Sequence, residues 1–154
     1  MIPARMGSKR ISKKNIRLLN GRPLIQYAID AAKEANCFDE IWVNSESEII
    51  QKIAVGSGVN FYKRPEKYAS DTASNDEFAA DFFNSVGGDV MIQILPTSPF
   101  ISPVEIKDFV QKFVYNGLDT LISMVDVQIE AMYDGVPINF DQKKASPPSQ
   151  TLTP

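Results

Sequence analysis

Met1-Ile2-Pro3-Ala4-Arg5-Met6-Gly7-Ser8-Lys9-Arg10-Ile11-Ser12-Lys13-Lys14-Asn15 opens the chain, and the rest of the sequence is organised around it. Residues 1–3 read as the tail of a strand. A loop follows with Gly7, Ser8 and five cations: Arg5, Lys9, Arg10, Lys13 and Lys14. No acidic residue occurs before Asp30, although the whole chain carries a formal charge of −3. A concentrated positive field therefore sits at one end of a mildly acidic protein. Gly7 permits a turn or a close approach of backbone to ligand. Exposed backbone N–H groups in such a turn face anions, and the cations add phosphate contacts, arginine as a fork and lysine as a point charge. These residues point to a phosphorylated ligand, most simply a nucleotide. The alternatives are a solvated basic terminus or a basic patch for nucleic acid. The loop lacks the Gly-x-x-x-x-Gly-Lys-Ser/Thr and Gly-x-Gly-x-x-Gly patterns. Its place, after a strand and before a helix, is where open α/β sheets hold ligands.

The order of the elements extends that reading. Residues 23–35 have helical spacing at Leu24, Ile25, Tyr27, Ala28, Ala31 and Ala32, with Pro23 suited to a first turn. Residues 41–43 form a short apolar, β-rich run, and 46–55 return to helical spacing through Ile49, Ile50 and Ile53. Residues 59–62 are the next strand. Alternation of this kind predicts a parallel sheet covered on both faces. Farther on, 76–86 is a helix with Phe78, Phe82 and Phe83 assigned to packing. Residues 90–95 read as a central strand whose one polar member, Gln93, is either a core amide or a ligand contact. A helix from Ser102 or Pro103 to about Asn116 follows, and 120–125 reads as a further strand. Residues 126–141 hold a hairpin or an irregular excursion. The Pro-rich stretch 143–154 reads as loop or tail. The domain expected is 1–142.

Composition narrows the chemistry. At 154 residues, 44% hydrophobic and 23% charged, the chain is that of a globular domain with a sizeable core. The absence of histidine excludes Ser-His and Cys-His nucleophilic machinery and the commonest zinc ligand. The single cysteine, Cys37, forms no internal disulfide and reads as a small buried apolar residue. No apolar run is long enough for a transmembrane helix, and no signal peptide is recognisable, so the cytoplasm is the expected location. Neither nucleic acid nor membrane is expected as a partner.

Two further segments matter. Arg64-Pro65 closes the strand at 59–62, and Ala69-Ser70-Asp71-Thr72-Ala73-Ser74 follows it; Leu95-Pro96-Thr97-Ser98-Pro99 ends the strand at 90–95. Ser74-x-x-Glu77 fits a capping box, and Asn75 is an alternative N-cap. A helix start that is capped can also face a ligand. Thr97 and Ser98 fall at the expected sheet edge, within reach of a sugar, or simply lead into the next helix.

Taken with Ile2-Pro3-Ala4-Arg5-x-Gly7-Ser8-Lys9-Arg10, Lys14-Asn15 and Gly21-x-Pro23-Leu24-Ile25, these segments resemble the acylneuraminate cytidylyltransferases, or CMP-sialic acid synthetases. The resemblance covers about the first two thirds of the chain. It implies a three-layer Rossmann-like nucleotidyltransferase fold with a mostly parallel central sheet, here incomplete at its C-terminal part. It implies transfer of CMP from CTP to an acidic, sialic-acid-like sugar with release of pyrophosphate. It also implies magnesium, with ligands unassigned, and a homodimer as the assembly. Arg5 and Lys14 are the implied catalytic residues. Pro3, Ala4, Gly7, Ser8, Lys9 and Asn15 join them around the nucleotide, as do Arg64, Ala73 and Asn75. Thr97 and Ser98 are the implied sugar contacts. Leu95 stands where the family pattern commonly has glutamine, Ile101 where it has arginine, and Asn44-Ser45-Glu46 where it has Ser-Thr-Asp. The alternatives are transfer to another sugar or from another nucleotide, and a truncated nucleotide-binding domain without turnover.

Overall fold

A computed structural model describes residues 1–8, 11–141, 144 and 152. The chain divides into two compact units, Met1–Gly117 and Leu118–Pro154. The boundary expected at 142/143 adjoins residues outside those described.

In the first unit a parallel sheet forms from β1 (Ile2–Pro3), β4 (Trp42–Ser45) and β5 (Asn60–Lys63), in the order β1-β4-β5. Ile2 pairs with Val43 and Pro3 with Asn44, while Trp42 to Ser45 run beside Asn60 to Lys63. Between these strands lie α1 (Leu24–Ala35) and α2 (Glu48–Gly56), as the hydrophobic spacing predicts. Strand alternation turns Val43 to one face and Trp42 and Asn44 to the other. Val43 and Ile2 join a core with Ile25 and Ile29 of α1 and Ile50 of α2, each fully buried. Burying a side chain of this size contributes about 1.5–3 kcal/mol. Ala28, Ala31, Ala32 and Ala35 keep the inner face of α1 shallow, so α4 (Pro103–Tyr115) packs closely against it and inserts Ile106 into the same core. On the other face of the sheet, α3 (Asn75–Val86) sets Phe82 edge-on to both Trp42 and Tyr62, at 6.0 and 5.3 Å. The expected helix–sheet–helix layering is present.

Two strand expectations fail, for related reasons. Residues 90–95, expected as a strand, make two main-chain bonds to Met1, just before β1: Met1 N to Ile92 O at 2.7 Å and Ile94 N to Met1 O at 3.1 Å. With only two paired residues in β1, no ladder develops, and no strand is assigned there. Residues 120–125 are also irregular, with Ile122, Met124 and Val125 exposed. Their β-rich composition suits a strand only when a neighbour supplies the ladder. Within its own unit, the segment that does pair is β6 (Met132–Tyr133) with β7 (Val136–Pro137), around Asp134 and Gly135 at positive φ. Asn139 stitches that hairpin to Ala131 N and Ile129 O at 2.9 and 2.8 Å.

One element has no counterpart in the periodicity. β2 (Leu18–Leu19) and β3 (Arg22–Pro23) form a hairpin around Asn20-Gly21, with φ of 48° and 78°. Asn-Gly is the favoured pair for a turn requiring positive φ at both positions. Tyr27 Oη donates to Leu19 O at 2.6 Å, and Arg22 lies over the Tyr27 ring, so α1 holds the hairpin.

Capping residues set the helix starts. The Ser74–Glu77 capping box opens α3 as expected, and Ser102–Glu105 forms a second one at α4 with Pro103 in its first turn. Replacing either serine by alanine is expected to cost about 1 kcal/mol. The Ser74 and Ser102 backbone N–H groups, helped by the serine hydroxyls, hold both glutamate pKa values below the ordinary range. This contribution is complete above the unfolded-state value and is lost as pH falls through the folded-state values. Melting curves of a Glu77→Gln/Glu105→Gln double variant should therefore lose less stability than the parent between about pH 5 and about pH 3. Equal acid sensitivity would show that the boxes add nothing through their charge.

Candidate functional site

A cleft of about 420 Å³ opens at the carboxyl ends of the parallel strands, within the first unit. Pro3, Arg5, Gly7, Ser8, Ile11, Lys14 and Asn15 line one side. Arg64 and Phe78 line another, and Leu95, Pro96 and Thr97 complete it. Three cations and no carboxylate appear among these described lining residues. The opening stretch, the strand-closing arginine and the Pro96-Thr97 turn are thus brought together from positions more than 80 residues apart.

The basic loop is held by its neighbours. Lys13 takes a left-handed backbone, with φ of 52°, and starts a 3-10 turn at Lys14–Ile16. That turn buries Asn15, whose Nδ2 donates to Arg5 O at 2.9 Å. Glu46, at the carboxyl end of β4, accepts the Met6 N–H at 2.7 Å. Ala4 is 1% exposed and donates its N–H to Asn44 O, so it belongs to the core beneath the loop. Gly7 does not adopt positive φ, and an added Cβ would meet only Arg5 Nη1, at 3.8 Å. The turn therefore does not require glycine; what glycine leaves is room beside the loop. Among the described residues, no acceptor takes the Gly7 or Ser8 N–H.

Arg5 reaches across to the segment after β5. Its Nη1 donates to Asp71 Oδ1 at 2.8 Å and to Ser70 O at 3.1 Å. Arg64 is the most enclosed cationic side chain among the described residues, at 3% exposure. Its Nε donates to Asn44 Oδ1 at 2.7 Å and its Nη2 to Asn44 O at 2.9 Å. The guanidinium lies 4.2 Å from the centre of the Phe78 ring, a cation–π distance. Burial lowers its pKa to about 10, with Glu46 opposing and Arg5 reinforcing the shift. It remains charged at neutral pH.

The other expected contacts are placed differently. Ala73, Asn75 and Ser98 do not line the cleft. Asn75 is the first residue of α3, and Ser98 donates its N–H to Leu95 O within the turn. Lys9 lies outside the described residues. Sequence reasoning misses Phe78, Glu46 and Asn44 as site residues. Helical spacing assigns Phe78 to packing; its place in the first turn of a helix that starts beside a strand end is the available signal. Glu46 and Asn44 lie at the end of the second strand, where ligand-facing residues collect in parallel sheets. Cys37 is half-buried against the core, and burial raises its thiol pKa.

Magnesium prefers carboxylate, phosphate and water oxygens in octahedral geometry. Among the described residues, no group of three His, Cys, Asp or Glu side chains is placed to hold a metal ion. Asp71 is engaged by Arg5, and Glu46 by the loop. No carboxylate among the described residues lines the cleft, so no protein ligand is assigned to magnesium and no step is derived through one. No helix among the described residues is long and apolar enough to cross a membrane.

A parallel sheet with helices on both faces, and with three cationic side chains and no carboxylate lining the cleft at its carboxyl edge, defines the class: an open-sheet α/β protein. Residues 1–143 match the family described as Cytidylyltransferase, and the chain belongs to that family. It is 35% identical over 126 residues to the N-acylneuraminate cytidylyltransferase A of Danio rerio, covering 81% of this chain and 29% of that protein. It is 38% identical over 122 residues to the CMP-N,N'-diacetyllegionaminic acid synthase of Legionella pneumophila, covering 72% and 50%. The chain thus spans about a third to a half of the length of these relatives. The fold is similar to that of a CMP:2-keto-3-deoxy-manno-octonic acid synthetase solved with CTP, with a TM-score of 0.67 and 22% identity over 75% of this chain and 46% of that one.

Proposed function

We propose that the cleft binds CTP and serves transfer of CMP to an acidic sugar. A sugar hydroxyl attacks the α-phosphorus; the new sugar-oxygen–phosphorus bond forms as the bond to the bridging oxygen breaks, pyrophosphate leaves, and the hydroxyl proton passes to solvent water. Such a reaction relies on in-line positioning and on stabilising charge at the departing phosphates. The observation that carries this reading is the convergence of Arg5, Lys14 and Arg64 on a cleft with no lining carboxylate. Lys14 is assigned to the departing pyrophosphate, and Gly7 and Ser8 N–H to phosphate oxygens. Arg64 is assigned to the ribose side, with Ala73 and Asn75 brought there by adjustment of the 69–75 segment. Thr97 and Ser98 are assigned to the acceptor sugar. Magnesium accompanies the triphosphate in this reading, without an assigned protein ligand.

A second reading concerns the acceptor. Leu95, in place of the family pattern's glutamine, lines the cleft and is 49% exposed. An apolar side chain there offers no hydrogen bond to a polyhydroxylated acceptor, which favours a sugar other than sialic acid itself.

Calorimetric titration with CTP, ATP, GTP and UTP, with and without magnesium, tests the proposal. CTP is expected to bind in preference to the other three. A folded chain that binds none of them overturns the reading. Screening acidic sugars for pyrophosphate release then separates sialic acid from other acceptors.

A further inference from the structure

We infer that Asn44 is a positioning residue whose side-chain carbonyl, with Phe78 beneath, aims the Arg64 guanidinium into the cleft. Arg64 lies just past the end of β5, and nothing in the strand itself fixes its long side chain. Asn44 pairs with Tyr62 in the β4–β5 ladder, two residues before Arg64, and meets the arginine from the adjacent strand. Its Oδ1 takes Nε and its main-chain oxygen takes Nη2, two bonds from one residue to one edge of the fork. The Phe78 ring covers a face of the same guanidinium. Nη1 makes no hydrogen bond with the described residues, and Arg64 lines the cleft.

The remaining half of the Asn44 amide identifies what the side chain is for. Asn44 is fully buried, and its Nδ2 has no hydrogen-bond partner. Flipping the amide would not relieve this, because Nδ2 would then face the Arg64 Nε–H, donor against donor. Buried amides are ordinarily satisfied at both ends, and an unsatisfied one calls for a specific role. Structural filling of the site would be served better by an apolar side chain. The acceptor toward Arg64 is the feature that only the polar residue supplies.

This inference rests on the cleft being a nucleotide site, so the test has one arm that does not use nucleotide. In the free protein, the Arg64 Nε–H proton of ¹⁵N-labelled material should exchange slowly with solvent. Asn44→Leu, which keeps volume but removes the acceptor, should speed that exchange on the order of tenfold or more, while Asn44→Asp, which keeps an acceptor, should leave it slow. Unchanged exchange in Asn44→Leu overturns the inference, whatever the nucleotide results. Where Asn44→Leu fails to fold, Asn44→Asp decides the question alone: rapid Nε–H exchange there overturns it, and slow exchange supports it.

The second arm is a double-mutant cycle for CTP affinity with Arg64→Met, which retains the stem over Phe78. Asn44→Leu should weaken CTP roughly tenfold in the parent and have no further effect in the Arg64→Met background. Equal losses in both backgrounds would mark a general structural effect and overturn the inference. Failure of the parent to bind CTP overturns the nucleotide reading instead, and leaves the exchange arm to decide the part played by Asn44.

Discussion

Arg64→Ala should lower CTP affinity by roughly 10–100-fold and should also lower the melting temperature. The affinity loss follows from removing a charged donor in a poorly solvated position, where such a bond is worth about 1.5–3 kcal/mol. The stability loss has a separate origin. At 3% exposure, Arg64 fills space between β4 and Phe78. Alanine leaves Asn44 Oδ1 without its donor, takes one of two donors from Asn44 O, which keeps the Ala4 N–H, and uncovers the ring, mechanisms that together cost about 2–4 kcal/mol. The two effects separate with Arg64→Met, which restores the packing but not the donors. It should recover part of the melting temperature and none of the affinity. Calorimetry for CTP and thermal unfolding followed by circular dichroism read both quantities. An Arg64→Ala protein that binds CTP as the parent does would remove Arg64 from the site.

Lys14→Ala should behave differently, with roughly tenfold weaker CTP binding and an unchanged melting temperature. Lys14 lines the cleft from the start of the 3-10 turn, and the turn is held by Asn15, not by the lysine. Its side chain makes no ion pair among the described residues, so its removal orphans no partner. What is lost is a point charge facing phosphates, and such a charge is screened by salt. The difference between parent and variant should therefore shrink as ionic strength rises. A deficit that is equally large at about 0.5 M salt would argue for a conformational effect. If turnover is measured, Lys14→Ala should lower kcat more than it raises KM, because pyrophosphate charge is greatest as the bond breaks.

Arg5 contrasts with both. The sequence places it among the phosphate contacts, but its Nη1 holds Asp71 and the Ser70 carbonyl. It sits where a nucleotide would make it choose between the ligand and the 69–71 segment. That choice depends on which side chains lie across the cleft, and no local pattern in the opening stretch carries that information.

The amino-acid sequence is sufficient for the periodic features. Helical spacing in α1, α2, α3 and α4, the Ser74 capping box and the β-rich runs of β4 and β5 are local properties, set by side-chain spacing and short-range hydrogen bonds. Their alternation is enough to give a parallel sheet with helices on both faces. The concentration of cations before Asp30 is likewise legible one residue at a time. Strand status at 90–95 and 120–125 is not local, because a β-run becomes a strand only where another backbone offers a ladder. The same holds for the buried chemistry. Phe78 becomes a platform because α3 brings it under Arg64. Asn44 becomes an acceptor because β4 lies beside β5 in that register. Glu46 becomes a latch because β1 ends next to it. Each role needs two chain segments distant in sequence to meet, and hydrogen bonds and ring contacts of that range are properties of the packed sheet.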